Sequence, residues 1–189
     1  HGLFGLYEVP WILAQLSTVF VFLVIINAIN FIDGIDGLAI SEVIKTILLI
    51  EFFSASETAL TPIALLLILS ILPLYYFNFK KEHKVFLGDG GSLLLGTMVS
   101  VYIFYVLGNE YKFQEGFQIN KTLFVVLIIL YPLIDLLRVF VLRIKNGDSP
   151  FKPDKKHLHH ILINKGFSHF TATITLLLFN LIIFVFLWI

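Results

Sequence analysis

The chain contains no cysteine, which removes disulfide bridges and thiolate chemistry while leaving the compartment of a membrane protein open. It carries no net charge, with 13 Lys and Arg against 13 Asp and Glu, and charged residues make up only 14% of it. It lacks a low-complexity tract, an interdomain linker and an internal repeat. No basic N-terminal region precedes a short apolar core and a small-residue cleavage site, so there is no signal peptide pattern. What the chain has in abundance is apolar surface: 58% of 189 residues are hydrophobic, 20 of them Phe, and the mean hydropathy is +0.94. That is too apolar for a soluble domain of this size and predicts a polytopic membrane protein.

Six runs approach the ~20 residues that cross the hydrocarbon as a helix, at about 10–29, 38–53, 60–79, 92–108, 121–142 and 170–189. The expected fold is therefore all-α, a polytopic membrane bundle of about six transmembrane segments, with residues 1–189 forming a single integral membrane domain. The second run is short and holds Glu42 and Lys45, so it has to tuck against other helices or enter obliquely. Pro10 opens the first run, Pro62 the third, and Gly108 closes the fourth. Pro73 and Pro132 lie inside runs, where they kink helices and free carbonyls that neighbours must satisfy.

The zero net charge hides an asymmetry. Lys80, Lys81, Lys84, Arg143, Lys145, Lys152, Lys155, Lys156 and Lys165 fall in the loops after the third and fifth runs, whereas the opposite loops hold only Lys112, with Lys121 at the border. The positive-inside rule makes the basic loops cytoplasmic. Two crossings separate the loop at 80–91 from the acids at 33 and 36, which puts that acidic cluster on the same side. The chain starts with His1 rather than Met, and Phe184–Ile189 lie inside an apolar run, so both ends read as cut and a fragment is expected.

Three polar segments stand at the ends of these runs. The first is Asn27-Ala-Ile-Asn30-Phe-Ile-Asp33-Gly34-Ile-Asp36-Gly37. An ionised group in hydrocarbon costs about 3 kcal/mol on insertion scales, so such a cluster reads as a site for a cation, a phosphate or both. Asn30, Asp33 and Asp36, spaced by three, would share a face if the helix continued. Gly34 and Gly37 interrupt it and allow backbone to approach a ligand. The plainer alternative is an N-cap, with Asp33 or Asp36 capping the run from Leu38.

The second segment, Phe86-Leu-Gly88-Asp89-Gly90-Gly91-Ser92, flanks one acid with glycines and suits a hard cation bridged to phosphate. A turn with an N-cap is the alternative reading. The third, Ser149-Pro-Phe-Lys-Pro-Asp-Lys155-Lys156-His157-Leu-His159-His160, joins a proline-stiffened loop, a basic pair and three histidines. Its histidines have zinc-like spacing, but the neighbouring lysines disfavour a dication. Imidazoles and ammonium groups suit a diphosphate better, and a solvated basic loop near anionic lipid is the alternative. Asp135 with Arg138, and Glu42 with Lys45, are spaced to form ion pairs inside spans. His83 and His169 are single loop histidines with no assigned role.

Taken together, Asn27 to Ala39, Phe86 to Gly96 and Pro153 to His160 resemble the polyprenyl-phosphate N-acetylhexosamine-1-phosphate transferases. The resemblance covers nearly the whole chain but only the middle and later part of a typical member. Ser149-Pro-Phe and the His-x-His-His grouping resemble the branch that starts O-antigen, enterobacterial common antigen and teichoic acid linkage units. A phospho-muramoyl-pentapeptide transferase-like activity is the alternative, though that branch usually has three consecutive histidines.

The resemblance implies transfer of a hexosamine-1-phosphate, first of all GlcNAc-1-phosphate, from a UDP-sugar to undecaprenyl phosphate, releasing UMP, with Mg²⁺ or Mn²⁺ as cofactor. It implies Asp89 as the main metal ligand, helped by Asn30. Asp33 and Asp36 would shape the nucleotide site with Gly34 and Gly37. His157, His159 and His160 would hold phosphate, with Lys155 and Lys156 adding positive potential. The expected partners are the UDP-sugar, undecaprenyl phosphate and the bilayer, with no nucleic acid and with a homodimer left open. Family members also carry an aspartate pair before the first motif, absent from these 189 residues, so the chain alone is expected to be nearly inactive. The rival classes are a transporter, which would place acids at span centres or in symmetric halves, and a non-catalytic assembly subunit.

Overall fold

The computed structural model describes residues 2–3, 7–8, 10–80, 82–149 and 156–188. Two short antiparallel strands, β1 (Gly2–Leu3) and β2 (Tyr7–Glu8), pair Gly2 with Glu8 and Leu3 with Tyr7. Everything else regular among the described residues is helical: α1 (Trp11–Ile32), α2 (Leu38–Phe52), α3 (Thr61–Asn78), α4 (Gly88–Leu107), α5 (Lys121–Ile128), α6 (Leu130–Lys145), α7 (Leu158–Asn164) and α8 (His169–Trp188). The breakers act where the sequence placed them: Pro10 precedes α1, Pro62 sits in the first turn of α3, and Gly108 follows α4. The Asn120 side chain caps α5 by accepting from the N–H groups of Thr122 and Leu123.

The all-helical membrane bundle expected from the sequence is what forms. Four helices, α1, α3, α4 and α8, are long and apolar enough to cross a membrane, and α5 with α6 makes a fifth if the bent pair counts as one span. The six runs therefore become four or five spans by length, and α2 accounts for one difference. Its 15 residues rise ~22 Å, short of the ~30 Å hydrocarbon layer. It lies enclosed by α1, α3, α4 and α8, with Leu38, Ala39, Ile40, Val43, Ile47 and Ile50 buried. The short second run is thus a helix tucked inside the bundle.

The other difference is the break in the run at 121–142, where α5 and α6 meet at 73°. Pro132 has no N–H to donate and its ring crowds the carbonyl four residues earlier, so the helix gives way just before it. The Leu127 carbonyl at the break accepts from Asn180 Nδ2 of α8 at 3.0 Å. Asn180 Oδ1 in turn accepts from Lys45 Nζ, and Lys45 pairs with the fully buried Glu42 at 2.5 Å. The expected Glu42–Lys45 pair exists, and it also serves the bend.

α1 packs chiefly on α4 and then α6. Its buried residues, Ile25, Ala28, Ile29 and Ile32, repeat at three and four, a one-sided stripe confined to the C-terminal half of the helix. Association of such helices in lipid rests on close packing rather than on removal from water. At the end of the bundle away from residues 33–37, Phe53, Phe113, Phe117, Phe124 and Phe184 form one aromatic cluster with centroid separations of 4.1–5.9 Å. Each such pair contributes about 0.5–1.5 kcal/mol beyond area burial. Tyr111 donates to the Ile50 carbonyl at 2.7 Å and Tyr102 to that of Leu60 at 2.8 Å. One end of the bundle is clamped by aromatics, and the polar segments collect at the other.

Candidate active site

At Ile32 helix α1 stops, and Asp33 closes it by donating its backbone N–H to the Asn30 carbonyl at 3.2 Å. Gly37 then turns the chain into α2 with φ of +73°, in the left-handed region that favours glycine. A Cβ there would also stand 2.4 Å from the Phe79 ring. Neither Asp33 nor Asp36 caps α2, whose N-cap is Gly37 with no side-chain hydrogen bond. The capping alternative for the first segment is therefore not realised, and both acids are left for other contacts.

Those contacts differ sharply between the two. Asp36 is already engaged: Lys84 Nζ lies 2.6 Å from its carboxylate, His169 Nδ1 lies 2.9 Å from Oδ2, and Thr173 donates to its carbonyl at 3.0 Å. The Gly37 N–H donates to Asn78 Oδ1 at 2.5 Å, and Asn78 Nδ2 donates to the Val85 carbonyl at 3.0 Å. The turn is thus tied to α3, to the basic loop that follows it and to α8. Asp33 instead lines a cleft with Asp89. Partial burial and, after it, the charge of Asp89 raise its carboxyl to about 7 from the ordinary 3.8.

Asp89 stands exposed in the first turn of α4. That turn is held to α1 through Ser92, whose Oγ accepts from Asn30 Nδ2 at 2.7 Å and donates to the Gly88 carbonyl at 3.1 Å. Asp33, Asp36, Asp89, Asn78 and His169 line one cleft of about 260 Å³. The aspartates come from the first two motifs. Lys84, Asn78 and His169 are additions the sequence reading passed over; a lone histidine 133 residues from its partner Asp36 gives no local signal.

The third motif reaches the same end of the bundle. Asp135, buried in α6, accepts from His157 Nδ1, from the Leu158 N–H and from Arg138 Nη2, each at 2.9 Å. Arg138 also donates to the Lys156 carbonyl. The predicted Asp135–Arg138 pair forms, with the histidine segment docked on it. His157 stacks parallel to His159 at 5.5 Å, and His159 lies 4.2 Å from His160. His157 also packs 5.7 Å from Phe31 of α1. Residues 150–155, with Lys155 among them, lie outside the described residues, as does Lys81.

His159 has no solvent exposure, and neither ring nitrogen has a hydrogen-bond partner among the described residues. Burial and then the neighbouring His160 lower it to about 3, so the ring is neutral. A buried polar atom without a partner costs about 1–3 kcal/mol. Such an imidazole offers hydrogen bonding rather than charge. Arg138 Nε is likewise buried and unpartnered.

The donor set suits a hard divalent cation. Mg²⁺ is usually bound through one or two carboxylates and completed by water and substrate phosphate. Asp89, exposed on the cleft that Asp33 also lines, is such a carboxylate, and Asn30 is tied to the same turn of α4 through Ser92. Among the described residues no group of three or more His, Cys, Asp or Glu converges as a metal cage, so a cation here would leave coordination positions for a ligand.

Comparison with known proteins agrees with the motifs. Residues 1–107 match the model of glycosyl transferase family 4; the histidine segment lies beyond the matched stretch. The chain is 36% identical over 105 residues to an undecaprenyl-phosphate alpha-N-acetylglucosaminyl 1-phosphate transferase of Haemophilus influenzae, covering 53% of this chain and 28% of that protein. It is 40% identical over 97 residues to a decaprenyl-phosphate N-acetylglucosaminephosphotransferase of Mycobacterium leprae, covering 49% and 24% respectively. A Yersinia pestis protein with the first of these names is 30% identical over 123 residues, covering 63% and 32%. The matches span only about a quarter to a third of these relatives. No solved structure matches the chain.

Proposed function

The chain belongs to glycosyl transferase family 4, and on that premise we propose that it forms the nucleotide-sugar half of a membrane phosphoglycosyltransferase. The proposed reaction moves GlcNAc-1-phosphate, or a close hexosamine-1-phosphate, from a UDP-sugar to undecaprenyl phosphate and releases UMP. It would start a cell-envelope polysaccharide at the cytoplasmic face of the inner membrane, with residues 1–189 acting as one integral membrane domain. The relatives' printed activities support the reaction class. The single observation that carries the reading is the cleft that Asp33 and Asp89 both line, joined to the histidine segment where His159 lies against Gly34.

In this reading a lipid phosphate oxygen attacks the sugar-bearing phosphorus, a new P–O bond forms, and the bond to the bridging oxygen of UMP breaks. Two polyanions must meet, so charge neutralisation dominates the barrier. A bound Mg²⁺ or Mn²⁺ would neutralise the diphosphate and polarise it for attack. Asp89 would hold the ion, helped by Asn30. Asp33 and Asp36 would wall the nucleotide side, where Gly34 and Gly37 keep the backbone close. His157, His159 and His160 would hydrogen-bond phosphate oxygens, with Lys156 and Lys155 supplying positive potential.

Calorimetry of the chain in detergent with UDP-GlcNAc, run with and without Mg²⁺, tests the half-site. Saturable binding that needs the cation is the expected result. Absence of binding in both conditions overturns the proposal and favours a non-catalytic assembly subunit. UMP release in the presence of undecaprenyl phosphate tests transfer itself.

A further inference from the structure

Asp135 and Arg138 are spaced three apart on α6, the pattern of an ion pair that steadies a helix. Their partners point elsewhere. Among the described residues the pair reaches outside α6 to Lys156, His157 and Leu158, all in the histidine segment and none in another spanning helix. The Asp135 side chain has no solvent exposure and that of His157 is 7% exposed, so the contact is enclosed rather than a surface accident.

Each bond fixes a different degree of freedom. The Leu158 N–H to Asp135 Oδ1 bond holds the first residue of α7, one of the donors a helix start leaves unpaired. Arg138 on the Lys156 carbonyl holds the residue before His157. Between them His157 takes extended backbone, φ −61° and ψ 152°, and its ring Nδ1 meets Asp135 Oδ2. A carboxylate only accepts, so Nδ1 must carry the proton. In the neutral ring Nε2 is then the lone-pair nitrogen.

We propose that Asp135 is the positioning residue of the transferase site: through its 2.9 Å contact with Nδ1 it fixes the His157 tautomer, leaving Nε2 unprotonated to accept a hydrogen bond from the P–OH of a protonated lipid phosphate. With Arg138 it also sets the backbone of residues 156–158. The inference rests on the proposed function for the identity of the ligand, but the tautomer itself does not depend on it. A carboxylate or carbonyl behind a working imidazole sets which nitrogen is available, and losing it misorients the ring or inverts the tautomer.

The test is Asp135→Asn. The carboxamide oxygen can still accept from Leu158 and Arg138, while its NH₂ faces Nδ1 and forces the proton onto Nε2. With ¹⁵N-labelled histidine in detergent micelles, and His157 assigned by its loss in His157→Gln, the wild type is expected to show a protonated Nδ1 and the variant a protonated Nε2. In enzyme that also carries the family's N-terminal aspartate pair, the kcat for UMP release should fall about 10- to 100-fold while KM for the UDP-sugar stays within about 3-fold. A wild-type His157 protonated on Nε2 alone overturns the proposal, even if the variant fails to fold. So does an Asp135→Asn protein that keeps its kcat within about 2-fold. Wild-type protein that shows the expected tautomer but binds no UDP-GlcNAc with or without Mg²⁺ would instead sink the proposed function, so the two failures are distinguishable.

Discussion

His159 Nε2 rests against the backbone of Gly34 so closely that a Cβ on that glycine would stand 2.2 Å from it. This contact joins a residue of the first motif to one of the third across 125 positions of chain, and only a glycine permits it. Gly34→Ala must push His159 off its seat and should cost about 1–3 kcal/mol, as overpacking of a closed site does. A lower thermal midpoint in detergent and weaker Mg²⁺-dependent binding of UDP-GlcNAc are the expected readouts. Gly90→Ala is the control, because a Cβ there meets nothing within 4 Å, and it should leave the midpoint unchanged or slightly raised.

Asp33 gives the site a pH signature. Its carboxyl is raised to about 7 from 3.8, so between those values it is protonated in the folded chain and ionised in the unfolded one. Folding takes up a proton there, and this contribution to stability falls as pH rises from about 4 to about 7, then levels. Asp33→Asn should remove that slope, so the variant's thermal midpoint should rise relative to that of the wild type through this window. His159, lowered to about 3, works in the opposite sense below 6.5 but equally in both proteins.

Asp89 and Asp36 should separate in a kinetic assay. Asp89 stands exposed at the cleft, whereas Asp36 is bound by Lys84 and His169. Asp89→Asn should raise the Mg²⁺ concentration for half-maximal activity at least 10-fold. Asp36→Asn should chiefly raise KM for the UDP-sugar, with the cation requirement little changed. Equal shifts in both parameters from both variants would mean that the two carboxylates do not divide the work.

The buried Glu42–Lys45–Asn180 network makes a stability prediction independent of catalysis. Lys45→Met leaves Glu42 buried without its counter-charge and should cost about 3–5 kcal/mol. The double change Glu42→Leu with Lys45→Met removes both charges and should recover most of that loss. Thermal unfolding of the three proteins in one detergent measures both effects.

Much of the helical layout was legible because its signals are local. The runs at 10–29, 60–79, 92–108 and 170–189 sit within a few residues of α1, α3, α4 and α8, since hydropathy, Pro10, Pro62 and Gly108 act on the chain near themselves. The break at Ile129 was foreshadowed by Pro132, but its 73° bend was not. Pro73 sits inside an unbroken α3. The short α7, which starts at Leu158 and carries His159 and His160, had no run of its own to announce it.

For the site, the sequence by itself determined which residue types stand at the helix ends: acids beside glycines, and histidines beside lysines, where a bilayer protein would not strand them idly. It also determined the family, since those motifs survive as strings. Only the tertiary structure decided the partnerships. Asp36 is paired with Lys84 and in contact with His169, Asp33 shares a cleft with Asp89, and Asp135 supports His157 rather than a neighbouring span. The physical reason is range: hydrophobic pattern and turn chemistry act over a few residues, whereas burial and charge act through space, between groups that only the packed bundle brings within reach.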